Sequence, residues 1–198
     1  MKRYFFKISY KGTSFFGWQK QSSEASVQET IEENMSKIQS HKEVSIVGCG
    51  RTDAGVHAKE YFFHWDDTDG IDIEQMQYKL NKMLPESIAV HEVFSVKVDQ
   101  HARFSATQRT YRYFIHTEKD PFLIERSWRI AQRLDLKKMN EAAQLLIGEK
   151  DFSSCSGPSS GLMRSGTYDD TTPKIAITHS LNEDVNIYAS YTQGLSLI

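Results

Sequence analysis

The chain has 198 residues, 39% of them hydrophobic and 25% charged, with a formal net charge of −2 at pH 7. That length can bury a proper core in one large or two small domains, and the composition is that of an ordinary soluble protein. No apolar run approaches membrane-spanning length, Met1-Lys2-Arg3-Tyr4-Phe5-Phe6-Lys7 breaks its apolar stretch too early for a signal peptide, and two cysteines, Cys49 and Cys155, argue against a disulfide framework and for a reducing cytoplasm.

In chain order, Arg3 to Tyr10 places Tyr4, Phe6, Ile8 and Tyr10 on one side, which predicts a strand. Ser26 with Glu29 has the form of a capping box and precedes Val27, Ile31, Met35 and Ile38 at helical spacing. Val44-Ser45-Ile46-Val47 and Tyr61-Phe62-Phe63-His64-Trp65 predict two strands joined by a glycine-containing loop. Asp72 with Gln75 opens a second helix with apolar positions Ile73, Met76, Leu80, Met83 and Leu84, ended by Pro85. Ile88 to Val98 is β-rich. The order strand, helix, strand, strand, helix, strand predicts an α+β, ferredoxin-like half with an antiparallel sheet, its two methionine-containing helix stripes turned to the core.

Thr107 to Thr117 begins a second strand system, with Tyr111, Tyr113 and Ile115 on one face and Thr110, Arg112 and Phe114 on the other. Leu136 to Leu146 reads as a helix with Leu136, Met139, Ala143 and Leu146 inward. From Asp151 to Thr172 Ser, Thr, Gly and Pro dominate without an apolar period, as in a loop or linker. A weak hairpin follows, Lys174 to Ser180 and Val185 to Tyr191, turning at Asn182-Glu183-Asp184. The predicted organisation is an N-terminal half, residues 1–106, and an incomplete second half, residues 107–198, whose tail is atypical from about residue 153.

Charge is segregated along the chain. Residues 1–20 hold Lys2, Arg3, Lys7, Lys11 and Lys20 and no acid, while Asp66, Asp67, Asp69, Asp72 and Glu74 cluster without a base. Between His101 and Lys138 nine Lys or Arg face four acids. Such a distribution would allow a basic nucleic-acid face and an acidic outer face on one molecule; the plainer alternative is that both clusters are solvated surface.

The most informative segment is Gly50-Arg51-Thr52-Asp53-Ala54-Gly55-Val56-His57-Ala58, a carboxylate on a glycine-bent loop between strands, where rigid scaffolds present chemistry. Arg51 could keep Asp53 ionised or could bind phosphate. Three other readings stand beside the catalytic one. Asp53 could be a turn residue that bonds its own backbone, or could join His57 and His64 around a metal, although no ligand spacing supports that. His57 reads better as a loop-stabilising histidine than as a catalyst, and Cys49 as a small buried residue.

GRTDAGVHA, read with Tyr10-Lys11-Gly12-Thr13-Ser14-Phe15-Phe16-Gly17-Trp18-Gln19-Lys20-Gln21 and Ser26-Val27-Gln28, resembles the tRNA pseudouridine synthase A family. Further blocks keep the family's order: Leu84-Pro85 with Ile88-Ala89-Val90, His101-Ala102-Arg103-Phe104-Ser105-Ala106, and Arg109-Thr110-Tyr111-Arg112-Tyr113. Leu134 to Phe152 is similar as well, and the resemblance ends there. Family members usually continue through a Phe-Leu segment and a Met-Val-Arg motif, and neither occurs after Ser153.

The resemblance implies two pseudo-symmetric halves and an isomerase that converts uridines of the tRNA anticodon stem-loop to pseudouridine. It implies that Asp53 starts the reaction and that Arg51 supports it and helps hold the flipped nucleotide. Tyr111 would lie against the uracil, although by itself it reads as a sheet-core aromatic. Arg103 and Phe104 would be further RNA contacts. Neither cofactor nor metal is implied; the expected partners are tRNA and a second copy of the chain, in the cytoplasm, with no membrane. The rival expectation is a truncated, non-catalytic or vestigial RNA-binding homologue, and a hydrolase using Asp53 and His57 is a distant third.

Overall fold

The structure, a computed structural model, describes residues 1–107, 109–145, 179–180 and 185–191. The chain divides into two compact units, Met1–Ala106 and Thr107–Ile198. No helix among the described residues is long and apolar enough to cross a membrane.

The first unit follows the strand and helix order predicted from the sequence: β1 (Lys2–Tyr10), α1 (Val27–Ile38), β2 (Val47–Gly48), β3 (Ala58–Asp67), α2 (Ile73–Met83) and β4 (Ile88–Val96). The sheet order is β2-β3-β1-β4 and each pairing is antiparallel, the ferredoxin-like arrangement. Alternation along β1 buries Tyr4, Phe6, Ile8 and Tyr10 against the helices. They meet Tyr61, Phe63 and Trp65 of β3, with the Phe6 and Phe63 rings stacked at 4.6 Å. Val27, Ile31 and Met35 of α1 and Met76 and Leu80 of α2 close the layer above. Each such side chain contributes about 1.5–3 kcal/mol by leaving water.

Both helix N-caps form at the predicted residues, the Ser26 hydroxyl accepting from the Glu29 amide and the Asp72 carboxylate from the Gln75 amide, but the Glu29 carboxylate lies toward Lys20 and closes no capping box among the described residues. Three details differ from the sequence reading. The segment before the loop forms a ladder only at Val47–Gly48; Val44 and Ile46 are buried instead, with the Ile46 backbone bonded to Glu32 and Gln28 of α1. Met83 is 41% exposed, because Leu84, where the helix stops ahead of Pro85, takes the inward place. β4 ends at Val96, two residues early, and the Val98 carbonyl is bonded by Arg3.

The acidic run is also not a bare outer face. Asp66 pairs with Arg3, Asp69 with Lys42, and Asp72 caps α2. Asp67 is 2% exposed and accepts from the amides of Asp69, Gly70 and Ile71 at 2.9–3.0 Å, fixing the turn from β3 into α2.

On the sheet face away from the helices, His64 is 4% exposed and its Nδ1 accepts from the Ala102 amide at 3.1 Å. Its ring stacks on Phe5 and meets His101 edge-on. Burial first, then the Arg3 guanidinium and His101, push the His64 imidazole down to about 4, against the opposing pull of Asp66. His101 is held below its usual value chiefly by burial, then by Arg3 and Arg103.

In the second unit, β5 (Arg109–His116) pairs antiparallel with β8 (Val185–Tyr191) and parallel with β6 (Trp128–Arg129), and β7 (His179–Ser180) pairs antiparallel with β8. The β7–β8 pairing is part of the predicted hairpin; its first strand up to Thr178 and its turn lie outside the described residues, as do the 151–172 segment and Leu146. α3 (Leu136–Gln144) is capped by Asp135 and half-buries Leu136, Met139 and Ala143, with no side chain fully buried. β6 and the short 3-10 turn Pro121–Leu123 carry too few residues for a period to reveal.

Asp67→Ala leaves three backbone donors without their acceptor and lowers the unfolding free energy by about 3 kcal/mol, as urea titration at neutral pH will show. Because His64 binds its proton more weakly folded than unfolded, its contribution is complete above pH 6.5 and is lost as the pH falls from 6.5 to about 4. The loss is about 3 kcal/mol, and His64→Gln, whose amide oxygen can still accept from Ala102, flattens that part of the urea stability profile.

Candidate functional site

Residues 49 to 57 run from the end of β2 to the start of β3, and the loop is anchored through backbone groups, rings and hydroxyls. The Cys49 amide donates to the Phe62 carbonyl at 2.8 Å and continues the ladder by one residue. The Tyr61 hydroxyl donates to the Gly50 carbonyl at 2.6 Å, and the hydroxyls of Tyr10 and Thr52 bond at 2.9 Å. The Asp53 carbonyl accepts from the Val56 amide at 3.2 Å, closing a turn with Gly55 at φ +77°.

The segment between β1 and α1 holds the loop from its other side. The Trp18 amide donates to the Thr52 carbonyl at 3.0 Å, the Gly55 amide to the Phe15 carbonyl at 3.1 Å, and the Gly12 amide to His57 Nδ1 at 2.9 Å. The approach is close enough to exclude side chains: a Cβ at Gly12 would lie 2.1 Å from the Val56 carbonyl oxygen, and one at Gly17, where φ is +91°, 2.4 Å from that of Thr52. Beneath the loop, Trp18 and Tyr61 rings pack at 4.2 Å and Tyr10 and Tyr61 at 5.6 Å, so the floor is apolar with its two phenol groups aimed upward.

On this frame Asp53 is exposed. Its carboxylate makes no hydrogen bond or ion pair among the described residues, so the turn is held by its main chain alone. Arg51 is exposed on the same loop and makes no ion pair with Asp53 among the described residues. His57 serves as a brace, its Nδ1 taken by Gly12. With His64 Nδ1 taken by Ala102, neither of those nitrogens faces a metal shared with Asp53, and no group of three His, Cys, Asp or Glu poised for a metal occurs among the described residues. Cys49 is half-buried against the core, not fully buried.

Arg103 and Phe104 lie exposed on the turn that follows β4, in the same unit as Asp53. The guanidinium of Arg103 stands over the Phe104 ring at 5.9 Å, and that ring packs on His101 at 4.4 Å. Tyr111 belongs to the second unit, on β5 opposite Ala189, and is 39% exposed. Sequence reasoning missed the bracing set of Tyr10, Gly12, Gly17, Trp18 and Tyr61. A hint was present in the chain, since the glycine-spaced aromatic run 12–18 has no helical or strand period of its own and so needs an outside partner.

An exposed carboxylate on a main-chain-clamped loop, with an aromatic floor below, is suited to meet a reacting centre without being neutralised beforehand. Residues 7–105, half of the chain, match the family model for tRNA pseudouridine synthase. The chain is 44% identical to tRNA pseudouridine synthase A of Bacteroides thetaiotaomicron over 156 residues, 79% of this chain and 58% of that protein. It is 45% identical to the protein of the same name from Parabacteroides distasonis, over 79% of this chain and 62% of that one. For the Bacillus subtilis protein of that name the identity is 40%, over 74% and 61%. This chain belongs to the tRNA pseudouridine synthase family. It spans about three fifths of the length of the curated relatives it matches.

The two positive-φ glycines of the clamp separate strain from crowding. Gly17→Ala meets both and destabilises by about 3 kcal/mol. Gly55→Ala, with open space around its Cβ position, costs only the conformational part, about 1 kcal/mol. Equal losses in urea unfolding would show that the Thr52 carbonyl does not crowd position 17.

Proposed function

We propose that this chain is a tRNA pseudouridine synthase acting on uridines of the anticodon stem-loop, with residues 1–106 as its catalytic half and residues 107–198 as the part of a second half that this sequence contains. The observation that carries the reading is Asp53: an exposed carboxylate on a loop held from both sides, inside the stretch that matches the family. In the reaction the bond from ribose C1′ to base N1 breaks, C1′ joins C5 of the same base, the proton leaves C5 and N1 gains one. The product is an isomer, so the balance needs no cofactor and no external reactant.

Asp53 starts the reaction, either as nucleophile at the sugar or as base toward a ribose proton; both need an ionised carboxylate at near-attack distance and a site from which water is excluded. The target nucleotide must first leave its stack, at a cost of a few kcal/mol. Arg51, exposed beside Asp53, supports this step by holding the displaced nucleotide through its phosphate or by filling its place. Tyr111 lies against the uracil, and Arg103 and Phe104 contact RNA through stacking and charge. The protein acts in the cytoplasm as a homodimer.

Asp53→Asn removes the nucleophile or base with almost no change of shape. Tritium release from unmodified tRNA carrying C5-tritiated uridine then falls on the order of a thousandfold or more, while circular dichroism stays that of the parent chain. Release that survives the substitution rejects Asp53 as the catalyst. Parent protein that binds tRNA and releases no tritium is instead an RNA-binding homologue without turnover.

A further inference from the structure

Arg3, at the start of β1, uses its guanidinium in two directions. Nε and Nη2 donate to the two carboxylate oxygens of Asp66 at 2.7 Å each. Nη1 donates to the carbonyls of Val98 and Gln100 at 2.8 Å each. The side chain is only 13% exposed. Asp66 stands opposite Arg3 in the β1–β3 register, so the carboxylate fixes the plane of the fork and the other edge points at the chain leaving β4. A planar five-donor group can serve a carboxylate and two carbonyls together; an ammonium cannot.

The segment it holds is the one that presents Arg103 and Phe104. Past Gln100 the chain folds into a tight turn in which the His101 amide donates to Ser105 Oγ and the Ser105 amide to the His101 carbonyl. His101 Nδ1 faces the amides of Arg103 and Phe104 at 3.1 and 3.3 Å. The turn is tied to β3 by the bond from the Ala102 amide to His64. A ladder of planar groups runs outward from the sheet through Phe5, His64, His101 and Phe104 to the Arg103 guanidinium.

We propose that Arg3 is a positioning residue for RNA binding: with Asp66 as its buttress it sets the height and angle of the 101–105 turn, so that the Phe104 ring and the Arg103 guanidinium are presented preorganised to an unpaired base and its phosphate. The inference rests on the tRNA reading above. Arg3 touches no substrate in this scheme and acts on affinity, whereas Asp53 acts on the chemical step.

The test is Arg3→Lys in the full chain, which keeps the charge and one bond to Asp66 but cannot also reach both carbonyls. Amide hydrogen exchange at Ala102, Phe104 and Ser105 should quicken, the Kd for an unmodified tRNA transcript should rise about tenfold, and single-turnover tritium release at saturating protein should keep its rate. Lys7→Gln, which on the same strand as Arg3 removes the ion pair of Lys7 with Glu60 of β3, should leave all three as they were. If Arg3→Lys does not fold, Asp66→Asn, which weakens only the buttress, should shift exchange and Kd in the same direction by less.

Unchanged exchange would overturn the clamp, faster exchange with unchanged affinity would overturn its link to RNA, and a loss of rate matching the loss in affinity would reduce Arg3 to general support of the fold. Parent protein that fails to bind the transcript overturns the tRNA reading itself, a result seen before any variant is made.

Discussion

The bond from the Trp18 amide to the Thr52 carbonyl joins two segments that neither helix nor sheet would bring together. On one side is the loop bearing Asp53, on the other an irregular stretch between β1 and α1. Loops are ordinarily the mobile part of a domain. Here three main-chain or ring anchors from residues 12–18 and two phenol hydroxyls from β1 and β3 hold nine residues, and the glycines at 12 and 17 exist because the backbones touch. A side chain on this loop is therefore placed by the whole first unit, since Tyr10 and Tyr61 are themselves members of the buried core.

The two faces of the sheet divide the work. The helix-covered face is apolar, stacks aromatic rings in register and supplies the burial that stabilises the unit. The opposite face carries paired charges and rings: Arg3 with Asp66, Lys7 with Glu60, and Phe5 with His64. The segment after β4 lies against it through side chains. Period-two alternation thus yields, from one strand, core residues at even positions and the Arg3 anchor at an odd one.

Much of this fold is legible along the chain because its causes are local. Alternation at Tyr4, Phe6, Ile8 and Tyr10 needs only the pleat, and Ser26 and Asp72 mark helix starts because a side-chain oxygen three residues ahead of an amide is a local geometry. The Asp53 loop stands out for the same reason, as glycines and a carboxylate between two apolar runs. What was not legible depends on register across distance. Nothing near Arg3 says that Asp66 will stand opposite it, and nothing near Gly17 says that Thr52 will press on its α-carbon. The short β2 was over-read because Val44 and Ile46 look like a strand, whereas helix side chains satisfy the Ile46 backbone and no ladder is needed.

Charge shows most sharply how sequence distance misleads. Five acids within nine residues suggest a repulsive patch, and a net charge of −2 looks unsuited to a polyanion. In the folded unit one of those acids is spent on Arg3, one on Lys42, one on a helix start and one, inside the protein, on three amides. The field that an approaching phosphate meets is set by which charges remain uncompensated at the surface, so the formal count overstates the acidic character of this half. An exposed guanidinium such as that of Arg51, with no carboxylate bound to it among the described residues, weighs more in that field than a lysine already paired, and it stands two residues from Asp53.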